Sequence, residues 1–82
     1  MTTDTIYAKL QTLFRELFED DSIVLTPETT ARDVERWDSL SHVDMMVMAE
    51  ELFGIRFSTR EVTGLPNVGA LVQVIERKVG AA

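Results

Sequence analysis

Apolar residues recur three or four positions apart in three separate stretches of this chain. A sequence with that period lays its apolar side along helices and must bury those helices against one another. In the first stretch Ile6, Leu10, Leu13, Phe14, Leu17 and Phe18 share one helical face, and Thr2, Thr3 or Asp4 can cap its start. In the second, Leu40, Val43, Met46 and Val47 mark a face that Met45, Met48 and Leu52 widen, with Gly54 placed to end the helix in a left-handed conformation. In the last, Val68, Leu71, Val72, Ile75 and Val79 keep the period, Asn67 stands at the cap, and Arg77 and Lys78 lie where a helix C-terminus favours cations. Ser58-Thr59-Arg60-Glu61 is a capping-box pattern opening a short helical turn that Gly64-Leu65-Pro66 closes. The only alternating run, Gly54 to Ser58, is short and has no mate to pair with.

Between the first and second helices, from Asp21 to Trp37, the period vanishes, and Thr26-Pro27-Glu28-Thr29-Thr30 brings turn formers and a proline. The reading is a long loop, and Ile23, Val24, Leu25, Val34 and Trp37 give it apolar anchors against the helices. The expected fold is therefore all-α: one domain over residues 1–82, a four-helix bundle of three main helices and one short one. Its expected core is Leu10, Phe14, Leu17, Leu40, Val43, Val47, Phe53, Ile55, Leu71 and Ile75.

Size and charge narrow the function. A chain of 82 residues buries roughly 60 to 65% of its unfolded surface, enough for one modest core and too little for a deep catalytic cleft. Fourteen acids against eight bases, a net charge of −6, oppose binding to nucleic acid or to an anionic membrane and favour a basic protein surface as partner. Without cysteine, and with His42 the sole histidine, there is no disulfide and no Cys- or His-rich metal site. No export signal or stretch of about 20 apolar residues is present, so the expectation is a soluble, cytoplasmic monomer.

The informative residue is Ser39. It falls in Arg36-Trp37-Asp38-Ser39-Leu40-Ser41-His42-Val43-Asp44, where the unperiodic loop gives way to the second helix. Asp38 can cap that helix, which makes Ser39 its first residue. There a hydroxyl is exposed, and the helix dipole and first-turn amides favour a phosphate esterified to it. Leu40 is expected to bury its side chain just past this point. Asp44, Glu50 and Glu51 follow on the same helix and, with Asp38, give an acidic surface about three turns long.

Trp37-Asp38-Ser39-Leu40, followed by Val43-Asp44-Met45, Glu50-Glu51 and Phe53-Gly54-Ile55, resembles the carrier-protein family of acyl carrier proteins and peptidyl carrier domains. The likeness extends over nearly the whole chain, since helix, long loop, helix begun by Asp-Ser-Leu, short helix and final helix is that family's order. The resemblance implies that Ser39 carries 4′-phosphopantetheine and that the chain is no enzyme. It also implies a partner surface of Asp38, Leu40, Asp44, Met45, Glu50 and Glu51. That surface would be read by a phosphopantetheinyl transferase and by an acyltransferase, ketosynthase or adenylating enzyme with a basic docking face. Family carriers open between helices two and three, which points to Met46, Ile55 and Val62 as the place for a cavity. Ser41 stands where many fatty-acid carriers have an acid and Trp37 where they often have a small residue. Both look more like discrete carriers of polyketide or nonribosomal peptide pathways, including antibiotic biosynthesis. Trp37 also has a plain use, pinning the loop to the helices.

Two other classes compete. Ser39 and His42 are three apart on a helix, as a nucleophile and its base could be, but no Gly-x-Ser-x-Gly elbow or oxyanion hole accompanies them. His42 reads instead as a partly exposed neighbour of the attachment point. An unmodified acidic helical adaptor is the remaining alternative.

Overall fold

The computed structural model describes residues 2–80. They form four helices, α1 (Thr3–Leu17), α2 (Ser39–Phe53), α3 (Thr59–Thr63) and α4 (Val68–Gly80), with no strand among the described residues. Each boundary has a local cause. The Thr2 hydroxyl accepts from the Thr5 amide at the start of α1, and Asn67 Oδ1 accepts from the Ala70 amide in the first turn of α4. Ser58 and Glu61 close the capping box of α3 in both directions. Helix α1 stops because Glu19 turns left-handed, at φ 52°, and α2 because Gly54 does so at φ 66°.

α1 is the hub, packing against both α2 and α4. Ile6, Leu10 and Phe14 of α1 meet Met45 of α2 and Leu71 and Ile75 of α4 in a core from which water is excluded. Of the core residues the sequence suggests, Leu10, Phe14, Phe53, Leu71 and Ile75 are buried, while Leu17 and Ile55 sit half-buried at its margin. Leu40, Val43 and Val47 are not in it: they are 76%, 50% and 49% exposed. α2 is instead rolled so that Met45, Met46, Ala49 and Phe53 face the bundle. Spacing could not choose between the two rolls, because α2 is apolar on nearly every side.

The loop from Phe18 to Asp38 is held by apolar anchors and backbone bonds. Ile23, Leu25 and Val34 are buried, but Val24, expected with them, is 67% exposed. Arg15 Nε donates to the Ile23 carbonyl at 2.9 Å, and the Leu25 amide donates to Gln11 Oε1 at 3.0 Å, so polar groups of α1 grip the first half. The second half serves α4, whose first amides lack helical partners: Val68 N–H donates to the Thr29 carbonyl at 2.8 Å and Gly69 N–H to the Pro27 carbonyl at 3.0 Å. That approach needs a glycine, since a Cβ at Gly69 would lie 2.9 Å from the Pro27 carbonyl oxygen.

α3 is held differently. None of its residues is buried; Val62 and, just beyond it, Leu65 lean half-buried on the core. The ion pair of Lys78 with Glu61, at 3.0 Å, ties it to α4. No described helix is long and apolar enough to cross a membrane.

Candidate functional site

Asp38 is the N-cap of α2, with extended backbone and a carboxylate turned back onto the helix. Its Oδ1 accepts from the Leu40 amide at 3.0 Å and the Ser41 amide at 2.9 Å. Ser41 answers: its hydroxyl accepts from the Asp38 amide at 2.9 Å and donates to the Arg36 carbonyl at 2.8 Å. This reciprocal cap holds the Asp38 carboxyl below the ordinary carboxylate value, first through the Ser41 amide and then through the Ser41 hydroxyl. The sequence carried a sign of it, since an N-cap acid followed three residues later by a hydroxyl is a capping-box spacing. Ser41 therefore does more than lower the local charge: it builds the turn that presents its neighbour.

Ser39, the first residue of α2, is exposed, and among the described residues no hydrogen bond occupies its hydroxyl. The oxygen is free for a bond to an incoming group. The amides expected to cradle a phosphate there are largely taken, because Asp38 already satisfies those of Leu40 and Ser41. What remains for an anion is the dipole of a 15-residue helix and the Ser39 amide itself. The same bonds favour the ionised form of Asp38 and fix its carboxylate on the Leu40 and Ser41 amides. No cluster of three or more metal-ligating side chains occurs among the described residues.

Ser39 stands at the lip of a recess of about 260 Å³ whose walls include Trp37, His42, Met45, Leu65 and Leu71. This is not the expected place: Met46, Ile55 and Val62 do not line it. Trp37 closes one side, edge-on to Phe14 with ring centroids 5.1 Å apart and stacked on His42 at 5.9 Å and 17°. Its indole N–H donates to His42 Nδ1 at 3.1 Å, and His42 Nε2 donates to the Val62 carbonyl at 2.7 Å. Trp37 does pin the loop, and His42 is the half-buried neighbour of Ser39 that the sequence suggests, held in addition by two hydrogen bonds. Nothing in residue spacing announces a tryptophan–histidine–backbone chain across three elements.

The expected partner surface is partly redrawn. Leu40, Asp44 and Glu51 are exposed, and helical spacing puts them in one stripe with Val43 and Val47. Met45, expected on that surface, is fully buried against α1 and α4, because the roll of α2 turns it inward. Glu50 is half-buried, and its carboxylate accepts the Phe57 amide at 2.7 Å, tying down the chain after α2. A larger groove of about 780 Å³ runs between α1 and α2 beside Lys9, Leu13, Met48 and Leu52, and Ser39 has no part in it.

The family model for a phosphopantetheine attachment site matches residues 8–75. The chain is 29% identical over 77 residues to an acyl carrier protein of Thermotoga maritima, covering 94% of this chain and 95% of that one. It is 33% identical over 75 residues to an acyl carrier protein of Acidothermus cellulolyticus, covering 92% and 89%. With the meromycolate extension acyl carrier protein of Mycolicibacterium smegmatis it shares 30% identity over 76 residues, covering 93% and 77%. Among solved structures, the holo acyl carrier protein of Geobacter metallireducens matches with a TM-score of 0.83 and 41% identity, over 98% of this chain and 87% of that one.

Proposed function

Because this chain belongs to the phosphopantetheine-attachment family, whose acyl carrier members are not themselves catalysts, we propose that Ser39 is the residue its 4′-phosphopantetheine is esterified to. The observation that carries this is the Ser39 hydroxyl: exposed on the first turn of α2, free of hydrogen bonds among the described residues, and held in place by the Asp38–Ser41 cap. The residues fit the group, since the helix dipole and the Ser39 amide favour a phosphate on this hydroxyl, with the Asp38 carboxylate held on the Leu40 and Ser41 amides. The bound arm supplies a terminal thiol on which an acyl group is held as a thioester. Ser39 fixes its root, the bundle contributes a rigid platform, and tethering raises the local concentration of the cargo at whichever enzyme docks.

The exposed stripe Leu40, Val43, Asp44, Val47 and Glu51 is the docking face of this reading, for a phosphopantetheinyl transferase and for acyltransferase or ketosynthase partners with basic surfaces. Acids around an apolar strip suit a shuttle, giving fast, salt-sensitive association and modest affinity. In this reading the carrier works as a monomer in the cytoplasm, in polyketide or related natural-product synthesis. Trp37 and Ser41 support that choice of pathway over housekeeping fatty-acid synthesis.

Intact mass after incubation with coenzyme A and a promiscuous phosphopantetheinyl transferase tests the assignment. In that transfer the serine oxygen bonds to the phosphorus next to pantetheine, the pyrophosphate bond breaks, and adenosine bisphosphate leaves. The native chain gains one arm and Ser39→Ala gains none. Modification of Ser39→Ala, or none of the native chain, rejects the reading.

A further inference from the structure

The bonds around His42 fix its chemistry. An indole N–H only donates and a backbone carbonyl only accepts, so Trp37 Nε1 at 3.1 Å makes Nδ1 the acceptor and Val62 O at 2.7 Å makes Nε2 the donor. Only the neutral ring with its proton on Nε2 satisfies both. The two partners lie on different elements, the loop before α2 and the last turn of α3, and the ring between them belongs to α2. His42 also lines the recess at Ser39, and α3 has no buried residue of its own. Besides the half-buried contacts of Val62 and Leu65, the polar ties of α3 to the bundle among the described residues are this one and Lys78–Glu61.

We propose that His42, as the neutral Nε2–H imidazole, is the latch that holds α3 and the Trp37 loop together beside Ser39, and that proton uptake by this ring releases Trp37, loosens α3 and opens the recess. Protonation turns Nδ1 into a donor facing the indole N–H, so the Trp37 bond is lost and two N–H groups oppose each other. Val62 can still be reached by Nε2, but from a ring no longer braced on its other side. The latch is a property of the bundle and exists whether or not Ser39 carries an arm.

The charged groups on the surrounding elements do not compete for the ring. Asp38 is engaged on the Leu40 and Ser41 amides. Arg36, on the incoming loop, reaches toward Glu19 at 4.0 Å. On α3, Glu61 accepts from the Ser58 amide and pairs with Lys78 of α4; Arg60 is exposed. Asp38 and Glu61 both have carboxyls held below their ordinary values, so they stay ionised while an imidazole titrates and do not mimic its effect.

One tryptophan and one histidine in the chain make the test direct. Nitrogen chemical shifts of the ring report the tautomer, Trp37 fluorescence and indole exchange report the loop, and exchange at the Val62 and Gly64 amides reports α3. At neutral pH the native protein, apo or holo, should show the Nε2–H tautomer. As pH falls, Trp37 fluorescence and α3 exchange should change together with the imidazole resonance. His42→Phe keeps a stackable ring but neither hydrogen bond, and should speed Val62 and Gly64 exchange about five- to tenfold. His42→Asn keeps an acceptor near Nδ1 and should protect the indole while releasing α3; His42→Gln keeps a donor near Nε2 and should do the reverse. Lys78→Ala is the control, loosening α3 while leaving Trp37 fluorescence unchanged. Helicity by circular dichroism identifies any variant that fails to fold, and the native titration needs no variant. If α3 exchange and Trp37 fluorescence ignore the titration of the ring, or the Nδ1–H tautomer is found, the latch is wrong.

Discussion

α2 and α4 are of similar length, and both carry many apolar residues, yet they spend them differently. α4 keeps one apolar stripe, Val68, Leu71, Val72, Ile75 and Val79, and buries all of it but the half-buried Val79, with Val74 buried beside it. α2 is apolar almost all round, buries Met45, Met46, Ala49 and Phe53, and leaves Leu40, Val43, Val47 and Leu52 facing outward. A helix that only holds a bundle together has no use for the second set. A surplus of apolar side chains bounded by Asp44 and Glu51, on the helix that begins at Ser39, fits a surface that must bury itself against another protein.

The sharpest way to break that contrast is to shorten side chains on each face. Ile75→Ala in α4 and Met45→Ala in α2 remove fully buried atoms and should each cost about 2 to 5 kcal/mol in chemical denaturation. Leu40→Ala and Val43→Ala should stay within about 0.5 kcal/mol of the native protein. Equal losses on the two faces of α2 would mean that the exposed stripe is core after all. Next in size is Gly69→Ala, which pushes a methyl to 2.9 Å from the Pro27 carbonyl and threatens the bonds by which the loop caps α4. About 1 to 3 kcal/mol should be lost, with faster amide exchange at Val68 and Gly69. A neutral result would show that the loop gives way easily and that α4 stands without it.

The paired reversal Asp44→Lys with Glu51→Lys probes the other side of the contrast. Denaturation should be unchanged, while transfer of the arm or of an acyl group by a partner enzyme should fall by about tenfold at low salt, the gap closing as ionic strength rises. If rates hold with every partner at low salt, acidic steering plays no part in docking.

The same contrast explains what the sequence could reveal. α1 and α4 were legible because one stripe at one period leaves a single way to pack, and the caps at Asp38, Ser58 and Asn67 because each needs only residues within three positions. The roll of α2 was not legible. With Val43, Met45, Met46 and Val47 side by side, either face could have gone inward, and the neighbours on α1 and α4 decided. Met45 was misplaced for that reason, and Glu50 because its Phe57 contact depends on where the chain goes after Gly54. Ser39 stood out in the sequence because its position needs only the cap and the start of a periodic segment. The recess beside it was displaced from Met46, Ile55 and Val62 because Trp37 and His42 join across elements, which no local pattern encodes.

The smallest expected effect concerns the caps themselves. Asp38, exposed, and Glu61, half-buried, have carboxyls that sit below their ordinary values of 3.8 and 4.5, Asp38 chiefly through the Ser41 amide and Glu61 chiefly through the Ser58 amide, with Lys78 second. A carboxyl lowered on folding binds its proton more weakly in the native state. Its stabilisation is therefore complete above the ordinary value and disappears as pH falls through the lowered one. The native protein should lose a little stability on acidification below about pH 4, and Asp38→Asn, whose side-chain oxygen still caps but does not titrate, should lose less over the same interval. Subtracting the variant's denaturation profile from the native one isolates Asp38: the native advantage should shrink as pH falls, and an advantage that grew on acidification would have the wrong sign for this cap. Solvent screens both acids, so the effect belongs below the core, loop and docking substitutions; if it matched Met45→Ala, the start of α2 would be held by its cap rather than by the side chains it buries.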